Sequence, residues 1–317
     1  MMRSSSSIAD LNVRQKWKEA ITFLSGHLRA GANLEGFDRM FGELEVYRAT
    51  YERYTGRSFA EASMLEIGYG TRAARLIALM SMGINVRGID LDMPMLSFSP
   101  VRLYRILKRN GIERALKTGV RSVMFDRRDR NKLKAALGQR GYALCIDRTR
   151  FLVGDAATYE FAPEPIDLVY SNDVFEHIPP EGLENLLKRL AAQMSPRGLA
   201  LITPNIFTGI SGGHLPEWYG DEVGKDTLKE SEPWEHLRKR RYNANTYLNG
   251  LSRSDYRELF SRSFEILEER VINPDLGRRF LTPEVQSELK TYSDDELFSN
   301  QVQFALSPKA APAIHFF

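Results

Sequence analysis

The sequence predicts an α/β fold, a sheet with helices on both faces, preceded by a helical cap and interrupted by two insertions. Three features point to it. A short apolar run, Met64–Gly68, ends in the glycine pair Gly68 and Gly70. A helix-like segment follows, then a second apolar run that stops at Asp90. Two further runs, Phe151–Val153 and Ile166–Tyr170, lead into Asp155-Ala156 and into Asn172-Asp173. Strands whose ends carry small and acidic residues are how such a sheet builds a ligand crevice.

The chain begins Met-Met-Arg and four serines, which lack the apolar core of a secretory signal and read as a frayed tail. Ile8–Leu28 and Leu34–Tyr54 read as amphipathic helices. Leu11, Trp17, Ile21, Phe23, Leu24 and Leu28 form one stripe; Phe37, Met40, Phe41, Leu44 and Tyr47 form the other. Residues 1–60 are assigned to a cap and 61–317 to the main domain. Such helices either close over a ligand or only cover the sheet, and both readings stand. The strands expected after the cap are Met64–Gly68, Asn85–Asp90, Phe151–Val153, Ile166–Tyr170 and Leu199–Thr203. Phe264–Val271 and Gln301–Leu306 read as the last two, with Asp255–Phe260 and Glu284–Thr291 as helices before and between them.

The glycine turn carries the chemistry. Without a Cβ, Gly68 and Gly70 let the backbone turn sharply and approach a ligand closely. The helix that follows directs its N-terminus at the same point. Asp90, at the tip of the next strand, suits a ribose diol. Gly68-x-Gly70-x-x-Ala73 fits the dinucleotide fingerprint, with Asp90 at the expected distance. The same unit also serves S-adenosylmethionine (SAM), and there an acid stands two residues before the first glycine. Glu66 is such an acid, and it has no comparable job beside a pyrophosphate.

Later motifs tip the balance. Phe151-Leu-Val-Gly-Asp155-Ala156 suits an adenine edge, with a helix-capping or turn aspartate as the rival reading of Asp155. Ile166-Asp-Leu-Val-Tyr-Ser-Asn172-Asp173-Val-Phe-Glu176-His177-Ile178 is a strand running into a polar loop. Met194-Ser-Pro-Arg-Gly198 and the run to Pro204 give a turn and a fifth strand. With these in order over Met64–Pro204, the chain resembles the class I SAM-dependent methyltransferases, in the group with Phe-Glu-His-Ile after strand four. The resemblance implies a Rossmann-like, mostly parallel seven-stranded sheet that closes on an antiparallel hairpin. It implies S-adenosyl-L-methionine as cofactor, with Glu66, Gly68, Tyr69 and Gly70 at the methionine end. Asp90 falls at the ribose, Asp155 and Ala156 at the adenine, and Asn172 beside the methionine, with Leu91 also assigned to the cofactor. One position departs from the pattern: Arg72 stands where the group often has a third glycine.

The first insertion spans 93–150. From Val101 to Arg150 there are 15 Lys and Arg against four acids, a local balance of +11 in a chain of net +3. Tyr104, Leu107, Ile112, Leu116, Val120 and Met124 give it an apolar side. An ordinary surface helix is the favoured reading; contact with an anionic membrane surface or with an acidic substrate is the other. Nucleic acid is disfavoured, because no aromatic residues interleave with the charge.

The second insertion, 205–250, follows strand five and holds Gly209, Gly212, Gly213, His214, Trp218, Tyr219, Trp234 and His236. Glycine-flexed loops with aromatic residues suit a lid or an acceptor wall, so Trp218, Tyr219 and His236 are assigned to the substrate. The Arg238–Arg241 run suits a phosphate or carboxylate, or is a solvated helix face.

Methyl transfer is an in-line displacement that needs positioning and, for a hydroxyl acceptor, a base. His177 leads as base, with packing at a helix start as its rival, and His214 is second; Asp173 and Glu176 are placed to orient them. The five histidines (27, 177, 214, 236 and 315) stand far apart in sequence with no metal-ligand spacing, so no metal is assigned. Tyr104-x-x-x-Lys108 imitates a dehydrogenase pair in the wrong place, and Asp90-Leu-Asp92 imitates a glycosyltransferase motif without its architecture.

Hydrophobic content of 43% and charged content of 27% are ordinary for a globular enzyme. No apolar run reaches about 18 residues, and the single cysteine, Cys145, excludes an internal disulfide or a cysteine-based zinc cluster. A cytoplasmic location is the simplest expectation. The sequence thus points to a SAM-dependent methyltransferase acting on a hydroxyl of a sugar or other polar small molecule, lipid-linked or anionic forms included. A nicotinamide oxidoreductase and a non-catalytic SAM-binding module are the alternatives.

Overall fold

In the computed structural model, the described residues are 35–70, 72–91, 93–94, 104, 108, 127–241 and 247–309. The expected helix Ile8–Leu28, Asp92, and most of the apolar side of the first insertion lie outside them.

Seven strands form one sheet: β1 (Met64–Ile67), β2 (Val86–Asp90), β3 (Phe151–Val153), β4 (Ile166–Asn172), β5 (Met194–Thr203), β6 (Phe264–Val271) and β7 (Val302–Pro308). Their order across the sheet is β3-β2-β1-β4-β5-β7-β6. β1 and β3 each run parallel to β2, while β7 runs antiparallel to both β5 and β6. This is the expected mostly parallel, Rossmann-like sheet with a reversed closing strand. Every expected strand is present. β5 begins earlier than expected, at Met194, and β4 runs on to Asn172.

By internal contacts the chain divides into two compact units. Of the described residues, those up to Phe161, together with Pro165–Val169, form the first; Ala162–Glu164 and those from Tyr170 onward form the second.

In the first unit, the helix α1 (Glu35–Thr55) buries Met40, Phe41, Leu44, Tyr47 and Tyr51 on one stripe. Asp38 on its polar side pairs with Arg140 at 2.8 Å, and the Arg140 guanidinium lies 4.1 Å over the Phe41 ring. Arg140 follows α3 (Arg127–Gly138), the described helix of the basic insertion. All four residues of β1 are buried, as a strand covered on both faces requires. The helix α2 (Ala74–Ser81) buries Leu76, Ile77, Ala78, Leu79 and Met80. Its approach to β2 depends on Gly88, where a Cβ would lie 2.7 Å from Leu76 and 2.8 Å from Tyr69.

In the second unit, α4 (Pro180–Gln193) starts with proline in its first turn and buries Leu183, Leu186, Leu187 and Leu190 at helical spacing. The helix α7 (Arg253–Ser261), which follows two short helices described next, is closed by a capping box between Ser252 and Asp255. Phe175, Tyr256, Phe260 and Phe304 form a chain of aromatic contacts beneath the loop after β4.

The second insertion differs from expectation. It contains two short helices, α5 (Gly220–Val223) and α6 (Glu235–Arg238), and builds its own core. Ile210, Trp218, Val223 and Trp234 pack there with Val285, Leu289, Leu297 and Phe298. Its glycines permit close packing rather than hinge motion. A Cβ at Gly209 would stand 2.6 Å from Asn300, and one at Gly212 would stand 2.2 Å from the Phe207 carbonyl oxygen. Among the described residues, no helix is long and apolar enough to cross a membrane.

Candidate active site

The first unit carries the glycine turn. Gly68 and Gly70 adopt φ of 77° and 65°, the left-handed region that a side chain would strain, and Ala73 follows at 47°. Asp90 faces back onto the turn, where its Oδ2 accepts the Gly70 N–H at 2.8 Å. The strand-two acid therefore latches the loop as well as marking the tip of its strand. Leu91, beside it, is 68% exposed, a large apolar side chain at the surface. Tyr69 is interior: its hydroxyl donates to the Leu152 carbonyl at 3.0 Å, and its ring meets Phe151 edge-on.

Glu66 is buried beneath the turn and its Oε1 lies 3.3 Å from Nε of Arg75 on α2. Arg75 also reaches Glu43 on α1, at 3.3 Å. The pair could not be read from sequence, since nothing in the spacing of Glu66 and Arg75 marks them as partners. Arg72, the departure from the glycine pattern, is 3.1 Å from Asp129 of α3. Asp155 accepts the Ala157 N–H at 2.9 Å, and its carbonyl accepts from Thr158 and Tyr159. Its side chain thus behaves as the turn aspartate of the two readings; Ala156 is half-buried within that turn.

The second unit carries Asn172, at the end of β4, and the histidines. Phe175–His177 form a single 3-10 turn. Asn249 clamps it: its Nδ2 donates to the carbonyls of Phe175 (2.9 Å) and Ile178 (3.1 Å), and its N–H donates to that of Glu176 (2.9 Å). Sequence reading missed Asn249 because the clamp spans some 70 residues.

The turn buries Glu176 to 3% exposure between two imidazoles. Its Oε1 lies 4.0 Å from His177 Nε2 and 3.9 Å from His214 Nε2. Neither carboxylate oxygen of Glu176 makes a well-formed hydrogen bond among the described residues, although its own N–H and Asn205 lie close enough to ease its charge in part. Burial, and then the charge of Asp173, push the Glu176 carboxyl well above its ordinary value. The two histidine rings meet edge-to-face with centroids 5.1 Å apart. His177 Nδ1 lies 2.9 Å from the Tyr247 carbonyl oxygen, which can only accept, so Nδ1 carries the proton and Nε2 presents its lone pair. His214 sits at φ 51° and is buried; burial first, then His177 and His236, lower its pKa to about 4.

The spacing of the histidines in sequence does not show this convergence. His177 and His214, far apart along the chain, offer ligand atoms that lie with one of Glu176 all within 4.8 Å of one another. The Oδ1 of Asp173 accepts from Asn205 (3.0 Å) and Gln301 (2.6 Å).

The residues assigned to the acceptor separate. Tyr219 is 42% exposed and meets His214 edge-on at 6.1 Å. Trp218 is interior, its indole N–H donating to Ser231 at 2.9 Å. His236 is interior too: its Nε2–H donates to the Phe207 carbonyl at 2.8 Å, and burial lowers its pKa to about 4. Both hold the loop's own core, where the apolar demand of packing outweighs exposure of a ring to an acceptor. Three of the four residues of the basic run are paired as well. Arg238 pairs with Glu288 (2.6 Å) and Glu232 (2.9 Å), Lys239 with Glu232 (2.6 Å), and Arg241 with Glu235 (3.4 Å).

Comparison with known proteins gives a match to one family model, described as a methyltransferase domain, over residues 12–263. No curated protein sequence matches. Solved structures similar to the chain include a protein from Pyrococcus horikoshii, at 12% identity over 84% of this chain and 90% of that one, with a TM-score of 0.44. Another is a phosphoethanolamine N-methyltransferase from Haemonchus contortus bound to SAM, at 22% identity, 82% of this chain and 51% of that one, TM-score 0.41. A third is a geranyl diphosphate C-methyltransferase from Streptomyces coelicolor, at 12% identity, 83% and 75% coverage, TM-score 0.41. The chain spans about half the length of the nematode enzyme.

Proposed function

The chain belongs to the methyltransferase-domain family, and on that premise we propose that it methylates a hydroxyl of a polar small molecule, a sugar-containing one included, with SAM as donor. The family match spans the whole glycine turn, and the latch between Asp90 and Gly70 supports the cofactor reading. Bound SAM would supply a methyl group on an electrophilic sulfonium. Gly68 and Gly70 give the backbone approach, Asp90 the carboxylate for a ribose diol, and exposed Leu91 an apolar surface for the adenine. Glu66, held by Arg75, is the acid nearest the methionine end in this reading, with the backbone at Tyr69 beside it. Asp155 and Ala156 are assigned to the adenine edge and Asn172 to the methionine.

A hydroxyl is a weak nucleophile until it loses its proton. The observation that carries the hydroxyl acceptor is the tautomer of His177. With its proton fixed on Nδ1 by the Tyr247 carbonyl, Nε2 is the atom that accepts. Glu176 stands behind it, and His214 flanks it. Tyr219 and Tyr247, 42% and 51% exposed, give this cluster an aromatic rim suited to a sugar ring or flat acceptor.

Calorimetric titration with S-adenosylhomocysteine, and separately with NAD and NADP, tests the cofactor. Binding of the first alone, weakened at least tenfold by Asp90→Ala, is the expected result; binding of a nicotinamide nucleotide instead overturns the reading. For the acceptor, His177→Gln is expected to lower kcat by about 100-fold or more at unchanged S-adenosylhomocysteine affinity. Unchanged kcat removes the histidine from the chemistry.

A further inference from the structure

The cluster Glu176–His177–His214 has a feature that proton transfer alone does not use. Three groups that accept or ligate converge, and the spaces between them are wrong for hydrogen bonds. A carboxylate and an imidazole sharing a proton approach to about 2.7–3.0 Å. Here Glu176 Oε1 stands 4.0 Å from His177 Nε2 and 3.9 Å from His214 Nε2. The carboxylate is almost completely buried, and neither of its oxygens makes a well-formed hydrogen bond among the described residues, its own N–H and Asn205 easing its charge only in part. A buried acid in that condition is costly unless something arrives to meet it.

The separations suit an ion. Bonds of about 2.0–2.1 Å from a divalent transition metal to imidazole nitrogen and carboxylate oxygen place neighbouring ligands about 3.4 Å apart in a tetrahedral site. Closing the Glu–His distances by roughly half an ångström reaches that spacing, a change within side-chain rotation. The surroundings agree independently. His177 donates Nδ1–H to the Tyr247 carbonyl, the outer hydrogen bond that fixes the tautomer of a metal-bound histidine and aims Nε2 at the ion. Asn249 holds the turn that bears both Glu176 and His177, so two of the three ligands are fixed by one clamp.

From this geometry we propose that Glu176, His177 and His214 form a binding site for one divalent first-row transition-metal cation, of the zinc class. Two imidazoles and one carboxylate are a donor set of that class, and three protein ligands leave a position open for water or an acceptor oxygen. The proposal deepens the reading of a hydroxyl-methylating enzyme and rests on it only for this last role. With a cation bound, both Nε2 lone pairs are engaged. The acceptor's proton affinity is then lowered by the cation, and the imidazole base describes the metal-free protein.

The test uses untagged full-length protein stripped with a chelator and titrated with Zn2+ against a competing chromophoric chelator, then with Co2+ followed in the visible spectrum. One equivalent bound at micromolar affinity or tighter is expected, with tetrahedral-type Co2+ absorption. Glu176→Gln and His214→Ala are each expected to weaken Zn2+ at least 100-fold. S-adenosylhomocysteine affinity, measured on the same samples, reports that the variants are folded. Wild-type protein that binds Zn2+ no tighter than a His177→Ala/His214→Ala double variant overturns the site and leaves a bridging water as the occupant. Zn2+ bound through these residues without S-adenosylhomocysteine binding would sink the methyltransferase reading and keep the metal site. The reverse pattern would sink the metal site and keep the methyltransferase.

Discussion

Two buried acids close to strand ends are treated in opposite ways. Glu66, under the glycine turn, has Arg75 at 3.3 Å, and Arg75 is shared with Glu43. Nearby, Arg72 faces Asp129, and Asp90 accepts the Gly70 N–H. In the glycine turn the buried or half-buried charges named here are compensated. Glu176, in the loop after β4, faces two imidazoles at 3.9–4.0 Å with no well-formed hydrogen bond to its carboxylate oxygens among the described residues. In the same unit, His214 and His236 are buried with pKa values lowered to about 4. One region is built from internal ion pairs that hold a loop in shape. The other buries a carboxyl whose value desolvation raises beside imidazoles whose values desolvation lowers.

Acid should separate the two regions first. His236 is neutral when folded, with its pKa lowered to about 4, whereas an unfolded chain protonates the same ring near 6.5. Between those values only the unfolded state takes the proton. Stability is therefore full above pH 6.5, falls as pH drops toward 4, and levels off below it. The loss from this group is at most about 3 kcal/mol. Urea unfolding at stepped pH should show a flatter profile in His236→Asn, and identical profiles would break the contrast.

The glycines sharpen it next. Gly212→Ala forces a Cβ to 2.2 Å from the Phe207 carbonyl oxygen, and a loss of about 2–3 kcal/mol is expected. Gly70→Ala has open space but φ of 65°, so only backbone strain of about 1 kcal/mol is expected. A mobile, hinge-like second insertion would reverse that order in chemical denaturation.

Glu66→Gln weakens a buried ion pair and is expected to cost about 2 kcal/mol, read as a lower denaturation midpoint at unchanged slope. Glu176→Gln has the smallest expected effect on the metal-free protein, between no change and a gain of about 1 kcal/mol, because it removes a buried carboxylate that its neighbours compensate only in part. Equal losses at 66 and 176 would erase the distinction between the two acids.

The sheet was legible because it is a local code. Met64–Ile67 and Ile166–Tyr170 are mostly apolar and buried throughout, the signature of strands covered on both faces, while Val86–Asp90 shows it less plainly because Arg87 interrupts it. The glycine turn was legible for the same reason, since Gly68, Gly70 and the acid at Asp90 lie within one strand-turn-helix-strand unit. The second insertion was legible only as composition. Trp218 and Trp234 on a glycine-rich loop look the same in sequence whether they face a ligand or each other's neighbours. Only packing against Val285, Leu289 and Phe298 decides it.

By itself, then, the sequence determined the α/β class, the strand positions, the glycine turn with its two acids, and the resemblance that proved to be family membership. These follow from periodicity and short-range spacing, which a linear chain displays directly. The tertiary structure alone decided which charges meet: Glu66 with Arg75, Arg238 with Glu288, and Glu176 with His177 and His214. Glu176 and His214 lie 38 residues apart along the chain, counted from their positions in the sequence. No period or motif connects them. Chain reversal through β5 brings His214 back, the Asn249 clamp fixes the turn of Glu176, and burial leaves the acid facing two imidazoles.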